Sequence, residues 1–246
     1  MVASFRSADC APLAVFFFEA GKVPGVDDII AASQPGGAFA VSHVPPPEQG
    51  WVELLRDGLT FDLHGLSGGP VMDAPEVDQA LGVPLDQLAG AHALMLSPGP
   101  HLAGAGRLLP VIRVGVELAL DLARIGSPLA IGWIPARNAI APSWFQKAVS
   151  PWLGGGPFPA MALVSLRHDV DETVHSTGLK FLIGQEFQLS DSGSGGREYS
   201  TKVALRLVDW LVANGPVSAP CEAVLAGTGA VFLEAADSTR IVARCC

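Results

Sequence analysis

The sequence predicts an α+β fold in which a mixed, largely antiparallel β-sheet is covered by helices. Three observations carry this expectation. Short apolar and aromatic runs bounded by Gly, Pro and Asp read as buried strands; two longer stretches with 3.6-residue apolar spacing read as amphipathic helices; and strands alternate with helices before giving way to hairpins. At 246 residues, with 49% hydrophobic and 16% charged residues, the chain buries a substantial core and does not have the composition of a disordered segment. We read residues 1–246 as a single domain, the alternative being a split at the run Gly154-Gly155-Gly156-Pro157.

Leu13 to Phe18 is a continuous apolar run between Pro12 and Gly21, a buried strand. Pro24, Gly25 and Asp27 open a short helix to about Ala32, closed by a turn over Gln34-Pro35-Gly36-Gly37. Phe39 to Val41 reads as a strand, and Pro45-Pro46-Pro47 forces an extended connection because each ring fixes φ. From Trp51 to Leu66, Asp57-Gly58 between two strand-like runs signals a β-hairpin. On its second arm Thr60, Asp62 and His64 share one face, read as solvent-facing with a ligand site as the alternative. Asp73, Pro75 and Glu76 look like a helix start and Gly82 like its stop. Ala91 to Leu96 is a strand on which His92 is read as a core residue, not a ligand.

The longest helix is expected from about Leu102 to Ile125, where Leu108, Val111, Ile112, Gly115, Val116, Ala119 and Leu122 form one stripe and Arg113, Glu117, Asp121 and Arg124 the other. Gly104-Ala105-Gly106 lacks the third glycine and the acidic residue of a dinucleotide site. Leu129 to Ile134 is a strand. Ser143 and Gln146 fit a capping box for the helix holding Trp144 and Phe145, and Lys147 is misplaced for a Ser-x-x-Lys nucleophile. Ala160 to Leu166 and Leu179 to Leu189 have strand character. Ser190 to Gly196 reads as a mobile loop opening onto a helix lined by Val203, Ala204, Leu207, Val208, Leu211 and Val212. The remaining apolar segments, around Val224, Ala230 to Leu233 and Ile241, read as strands joined by turns at Gly227-Thr228-Gly229 and Asp237-Ser238.

Composition narrows the partners. Fifteen Lys and Arg against 24 Asp and Glu give a formal charge of -9, the wrong sign for neutralising phosphates, so neither nucleic acid nor an anionic membrane is expected. Arg113, Glu117 and Asp121 interrupt the longest apolar run well short of the roughly 20 residues a membrane span needs. Asp9 and Glu19 around the first apolar run argue against a signal peptide. Cys10, Cys221, Cys245 and Cys246 have neither disulfide-scaffold nor zinc-site spacing. A cytoplasmic protein with reduced thiols is the expectation.

The densest ionisable group lies between the two runs at 160–166 and 179–189: Arg167, His168, Asp169, Asp171, Glu172 and His175. Asp169 and Asp171 share a face if the strand continues, and His168 or His175 can add nitrogen, so these four are candidate metal ligands; with Glu186 they are the candidate catalytic groups. The alternative is a solvated connection between strands. No nucleophile or oxyanion donor completes an acid/base pair of His175 and Glu186.

Met72-Asp73-Ala74-Pro75, the strand beginning Ala91-His92, the long helix after it, Trp133 leading to Trp144-Phe145, then Ser176-Thr177-Gly178-Leu179 and Gly184-Gln185-Glu186 together resemble the bacterial family called domain of unknown function 4261. The likeness runs from Met72 to the C-terminus and implies no activity and no catalytic residues. The function expected is therefore a non-catalytic cytoplasmic domain that binds a protein partner or self-associates. No cofactor is expected. The alternative is a metal-dependent hydrolase or other small-molecule enzyme, using a divalent metal and the 168–186 segment.

Overall fold

The computed structural model describes residues 11–33, 37–102, 104–190 and 196–245. Most of the turn expected at 34–37, most of the Ser/Gly loop at 190–196, and Cys10 and Cys246 lie outside the described residues. Among the described residues, six α-helices and two mixed, mostly antiparallel sheets make an α+β fold. The chain divides into two compact units, one of Met1–Ile134 with Asn138–Lys147, the other of Pro135–Arg137 with Ala148–Cys246.

In the first unit the elements are β1 (Ala14–Phe18), α1 (Val26–Ala32), β2 (Ala40–His43), β3 (Trp51–Arg56), β4 (Leu59–His64), β5 (Gln79–Leu81), β6 (His92–Pro98), α2 (Leu109–Leu122), β7 (Ala130–Trp133) and β8 (Asn138–Ile140), followed by the start of α3 (Pro142–Leu153). The sheet order is β2-β3-β4-β6-β1-β7-β8-β5, antiparallel apart from the β5–β8 pair. β1 lies in the middle between β6 and β7, which explains its unbroken AVFFF sequence: a central strand covered on both faces has no reason to alternate. One face packs against α2, whose buried stripe is Val111, Ile112, Val114, Gly115, Val116, Leu118, Ala119 and Leu122. The other is filled around Val15, Phe17, Ala93, Ala130 and Ala139 by Met72, Val77 and Leu88. The β3–β4 turn is a two-residue Asp57-Gly58 turn, φ 50° and 78°, with register Arg56↔Leu59. Arg56, at the end of β3, pairs with Glu117 at 3.2 Å and with Asp121, fastening α2 to the hairpin.

The second unit contains the end of α3, α4 (Ala160–Leu163), β9 (Ser165–His168), β10 (Val174–Thr177), α5 (Leu179–Ile183), β11 (Glu186–Ser190), α6 (Gly196–Asn214), β12 (Cys221–Leu225), β13 (Gly229–Asp237) and β14 (Arg240–Cys245). Its sheet order is β12-β13-β14-β11-β10-β9, parallel only between β11 and β14. Every second residue is buried: Ala223 and Leu225, Val231 and Leu233, Ile241 and Ala243, Phe187 and Leu189. That side meets the stripe Val203, Ala204, Leu207, Val208 and Leu211 of α6.

Four local expectations are corrected. Asp73 to Gly82 is not a helix: Asp73 bridges His92, the Ala93 amide donates to Met72 O, and Gln79–Leu81 is a strand paired with β8. Long-range pairing with β6 and β8 overrides a local cap signal. Ala160–Leu163 is a turn of helix, with the strand starting only at Ser165, because a short, wholly apolar run has no period in its sequence to separate helix from strand. Leu179–Ile183 is likewise helical, set off by Gly178 and Gly184, both at positive φ, so the strand begins at Glu186. Helix α3 starts with Pro142 as its first residue, the Phe145 amide donating to Ala141 O, so Ser143 is inside the first turn and caps nothing. The long helix is also shorter than expected, beginning at Leu109 ahead of Pro110.

If α6 supplies the core of the second unit, Leu207→Ala lowers stability by about 2–5 kcal/mol, seen as a lower denaturant midpoint by circular dichroism. An unchanged midpoint would contradict the packing described.

Candidate functional site

The polar segment at 167–186 forms a β9–β10 hairpin followed by a short helix. Strands β9 and β10 pair Val174↔His168 and His175↔Arg167, so His168 and His175 point to opposite faces of the sheet. His168 Nε2 lies 2.8 Å from Thr201 Oγ1 of α6. Because the Thr201 hydroxyl donates to Arg197 O at 2.7 Å, the imidazole Nε2 is the donor of this pair. Nδ1 is buried and meets no hydrogen-bond partner among the described residues.

On the other face the Asp169 carboxylate lies between two side chains, His175 Nε2 at 2.8 Å and the Arg167 guanidinium at 2.8 Å. Asp171 closes its own turn, accepting from the Thr173 amide at 3.1 Å, which holds its carboxyl below the ordinary range. Glu186 is fully engaged. One carboxylate oxygen accepts from the Gly178 and Lys180 amides at 2.8 and 2.9 Å, the other from Ser176 Oγ at 2.6 Å and the Leu179 amide at 3.2 Å. Ser176 Oγ in turn accepts the Phe187 amide, continuing the β10–β11 ladder past its last pair, His175↔Gln188. Gly178 makes this possible: at φ 101° its position leaves only 2.9 Å between a Cβ and Ala136 Cα. Of the five sequence candidates the structure therefore brings together Asp169 and His175, sends His168 to the helix side, and ties Asp171 and Glu186 into turns. Among the described residues no group of three or more His, Cys, Asp or Glu has the arrangement of a metal site. An open cleft of about 310 Å³ in the same unit, lined by Phe158, Pro159, Met161, Lys202, Arg206 and Asp209, includes none of the five.

A second group lies in the first unit. Strand register places His43 of β2, Glu53 of β3, Asp62 of β4 and Ser97 of β6 in one row across four strands, on the sheet face opposite α2. Exposure falls along the row: His43 is exposed, Glu53 and Asp62 half-buried, Ser97 buried. Beside it, Trp51 stacks on His64 with centroids 5.6 Å apart and meets His43 at 5.5 Å. Burial, then the charge of Glu53, pushes the Asp62 carboxyl up to about 6, with His101 and His43 opposing. Burial also pulls the His64 imidazole down. The face read as solvent-facing from Thr60, Asp62 and His64 is thus half-buried, and its chemistry comes from residues that only cross-strand pairing assembles. Alternation alone pointed to Asp62 and His64; nothing in the sequence pointed to Glu53 or Ser97 as their neighbours.

No protein-family model matches this chain, nor does any curated protein or solved structure.

The Asp62 shift has a definite sign. With its folded value raised above the ordinary 3.8, its contribution favours the fold fully below pH 3.8 and is lost as pH rises through about 6. Asp62→Asn is therefore expected to stabilise the protein at pH 7.5, by up to about 1 kcal/mol after allowance for solvent screening, with the difference vanishing at pH 3.5. Thermal melts at the two pH values check it, and destabilisation at pH 7.5 would contradict the burial described.

Proposed function

We propose that this chain is a non-catalytic binding domain that takes a protein partner on the open face of its six-stranded sheet. The observation that carries the reading is the exposed apolar surface at one end of that face. Val224, on the edge strand β12, is 74% exposed and Phe232 on β13 is 37% exposed. Register puts Val224 opposite Ala230, two residues from Phe232 on the same face, with Glu222, Glu234 and Arg244 around them. Apolar anchors within a charged rim are the composition of a protein-binding surface. An edge strand with neither Lys nor Pro in its CEAVL sequence also offers backbone groups for pairing. The engagement of Glu186 and Asp171 in turns supports the same reading, since a hydrolase built on 168–186 needs them free to act on a substrate. A cytoplasmic site of action belongs to this proposal.

A photo-crosslinking amino acid at Val224, introduced in the cells of origin, is expected to give a discrete protein adduct. The adduct disappears when Phe232→Lys is added, while circular dichroism stays unchanged. A second probe at the fully exposed Val170 gives none. Only uncrosslinked chain from the Val224 probe, or equal adducts from both positions, would overturn the reading.

A further inference from the structure

We propose that the Glu53–Asp62 pair, with the Ser97 hydroxyl beneath it, is a binding site for a guanidinium group. The same hairpin already engages a guanidinium on its other face. On the α2 side, Glu117 and Asp121 are two neighbouring carboxylates, and a single guanidinium, that of Arg56, lies against both. On the opposite side Glu53 and Asp62 stand directly across from one another in the β3–β4 ladder. Like charges so placed repel. Yet among the described residues neither makes an ion pair with a lysine or arginine: Glu53 accepts from Ser42 Oγ at 2.7 Å, and its cross-strand neighbours are Asp62 and His43.

A second observation points the same way. Ser97 is 4% exposed, lies opposite Asp62 on the same face, and its Oγ has no hydrogen-bond partner among the described residues. A buried hydroxyl without a partner is rare enough to need an explanation. One planar cation with five donors answers both, bonding two carboxylates at its edges while the hydroxyl accepts from its tip. The graded exposure from His43 to Ser97 gives a side-chain-like ligand its direction of entry, with Trp51 and His64 as an apolar wall.

The charged and titratable groups facing Asp62 are Glu53 from β3, His43 from β2, His101 from the turn after β6, and His64 on β4 itself. A cation bound there displaces the proton that Asp62 otherwise carries near pH 6, so binding weakens as the solution is acidified. The residue that burdens the unliganded fold at neutral pH is the one that would hold the ligand, a trade-off common at functional sites.

The test is titration of the full chain, followed by two-dimensional NMR and Trp51 fluorescence, with three probes at pH 7.5 and 5.0. The probes are methylguanidinium, the peptide acetyl-Gly-Arg-Gly-amide, and the same peptide with neutral citrulline for arginine. Saturable binding of the guanidinium probes but not citrulline is expected, with shifts confined to β2, β3, β4 and β6. Binding should weaken about tenfold at pH 5.0 and at least about tenfold in Asp62→Asn and in Glu53→Gln, and stay unchanged in Glu198→Gln of α6. Preference for the peptide over methylguanidinium assigns the group to a partner's arginine; equal affinity assigns it to a free small molecule. Absence of saturable binding, equal binding of citrulline, or indifference to both carboxylate variants overturns the proposal. Glu53→Gln keeps the test valid if Asp62→Asn does not fold.

Discussion

The second unit depends on one carboxylate. Glu186 sits where β10 has ended and α5 begins, and it gathers the Ser176 hydroxyl with the amides of Gly178, Leu179 and Lys180. Those amides belong to the first turn of a helix, where no intrahelical acceptor exists. A negative charge there satisfies them and also meets the positive end of the helix dipole. The bond from the Phe187 amide to Ser176 Oγ then holds β11 to β10 beyond the last ladder pair. Without this carboxylate, several half-buried donors would each lose an acceptor, at roughly 1–3 kcal/mol apiece where water cannot replace it. The tight approach of Gly178 to Ala136 is tolerable because residue 178 has no Cβ. Hence the Thr-Gly-Leu and Gly-x-Glu pieces of the sequence belong together physically: one supplies the donors, the other the acceptor.

The same accounting separates polar groups that build the molecule from those left over. Asp169 meets both His175 and Arg167, Asp237 accepts from the Thr239 amide and Arg240 and is held down at about 2, and Arg56 serves two carboxylates of α2. Each is explained by the strand, turn or helix it fastens. Asp62 and Ser97 are not: the Asp62 carboxylate lowers stability at neutral pH, and the buried Ser97 hydroxyl has no hydrogen-bond partner among the described residues. The exposed Val224 and Phe232 also have no part in the core. Folding does not explain these leftovers; the binding roles proposed above would.

Much of the fold was legible because its signals are local. Asp57-Gly58 announced the first hairpin, the unbroken AVFFF run announced a buried strand, and the 3.6-residue stripes announced α2 and α6. What failed was decided at long range. Asp73-Ala74-Pro75 carries a good helix start, yet the bonds to Ala91 and Ala93 hold it extended. Ala160–Leu163 and Leu179–Ile183 are too short for periodicity to identify them. The same limit applied to the sites. Ionisable residues close in sequence at 167–175 drew attention because they are close in sequence, whereas the row His43, Glu53, Asp62 and Ser97 draws on four strands and is visible only through register.

Ser176 and Glu186 act as one hydrogen-bonded unit that holds β10, the start of α5 and β11 together. A double-mutant cycle between Ser176→Ala and Glu186→Gln, read by chemical denaturation, measures it most directly. Two groups in one buried network are expected to couple by about 1 kcal/mol or more, with each single variant clearly destabilised. Additive effects, or a Glu186→Gln protein as stable as the parent, would contradict the account and return Glu186 to the list of groups free to act on a substrate.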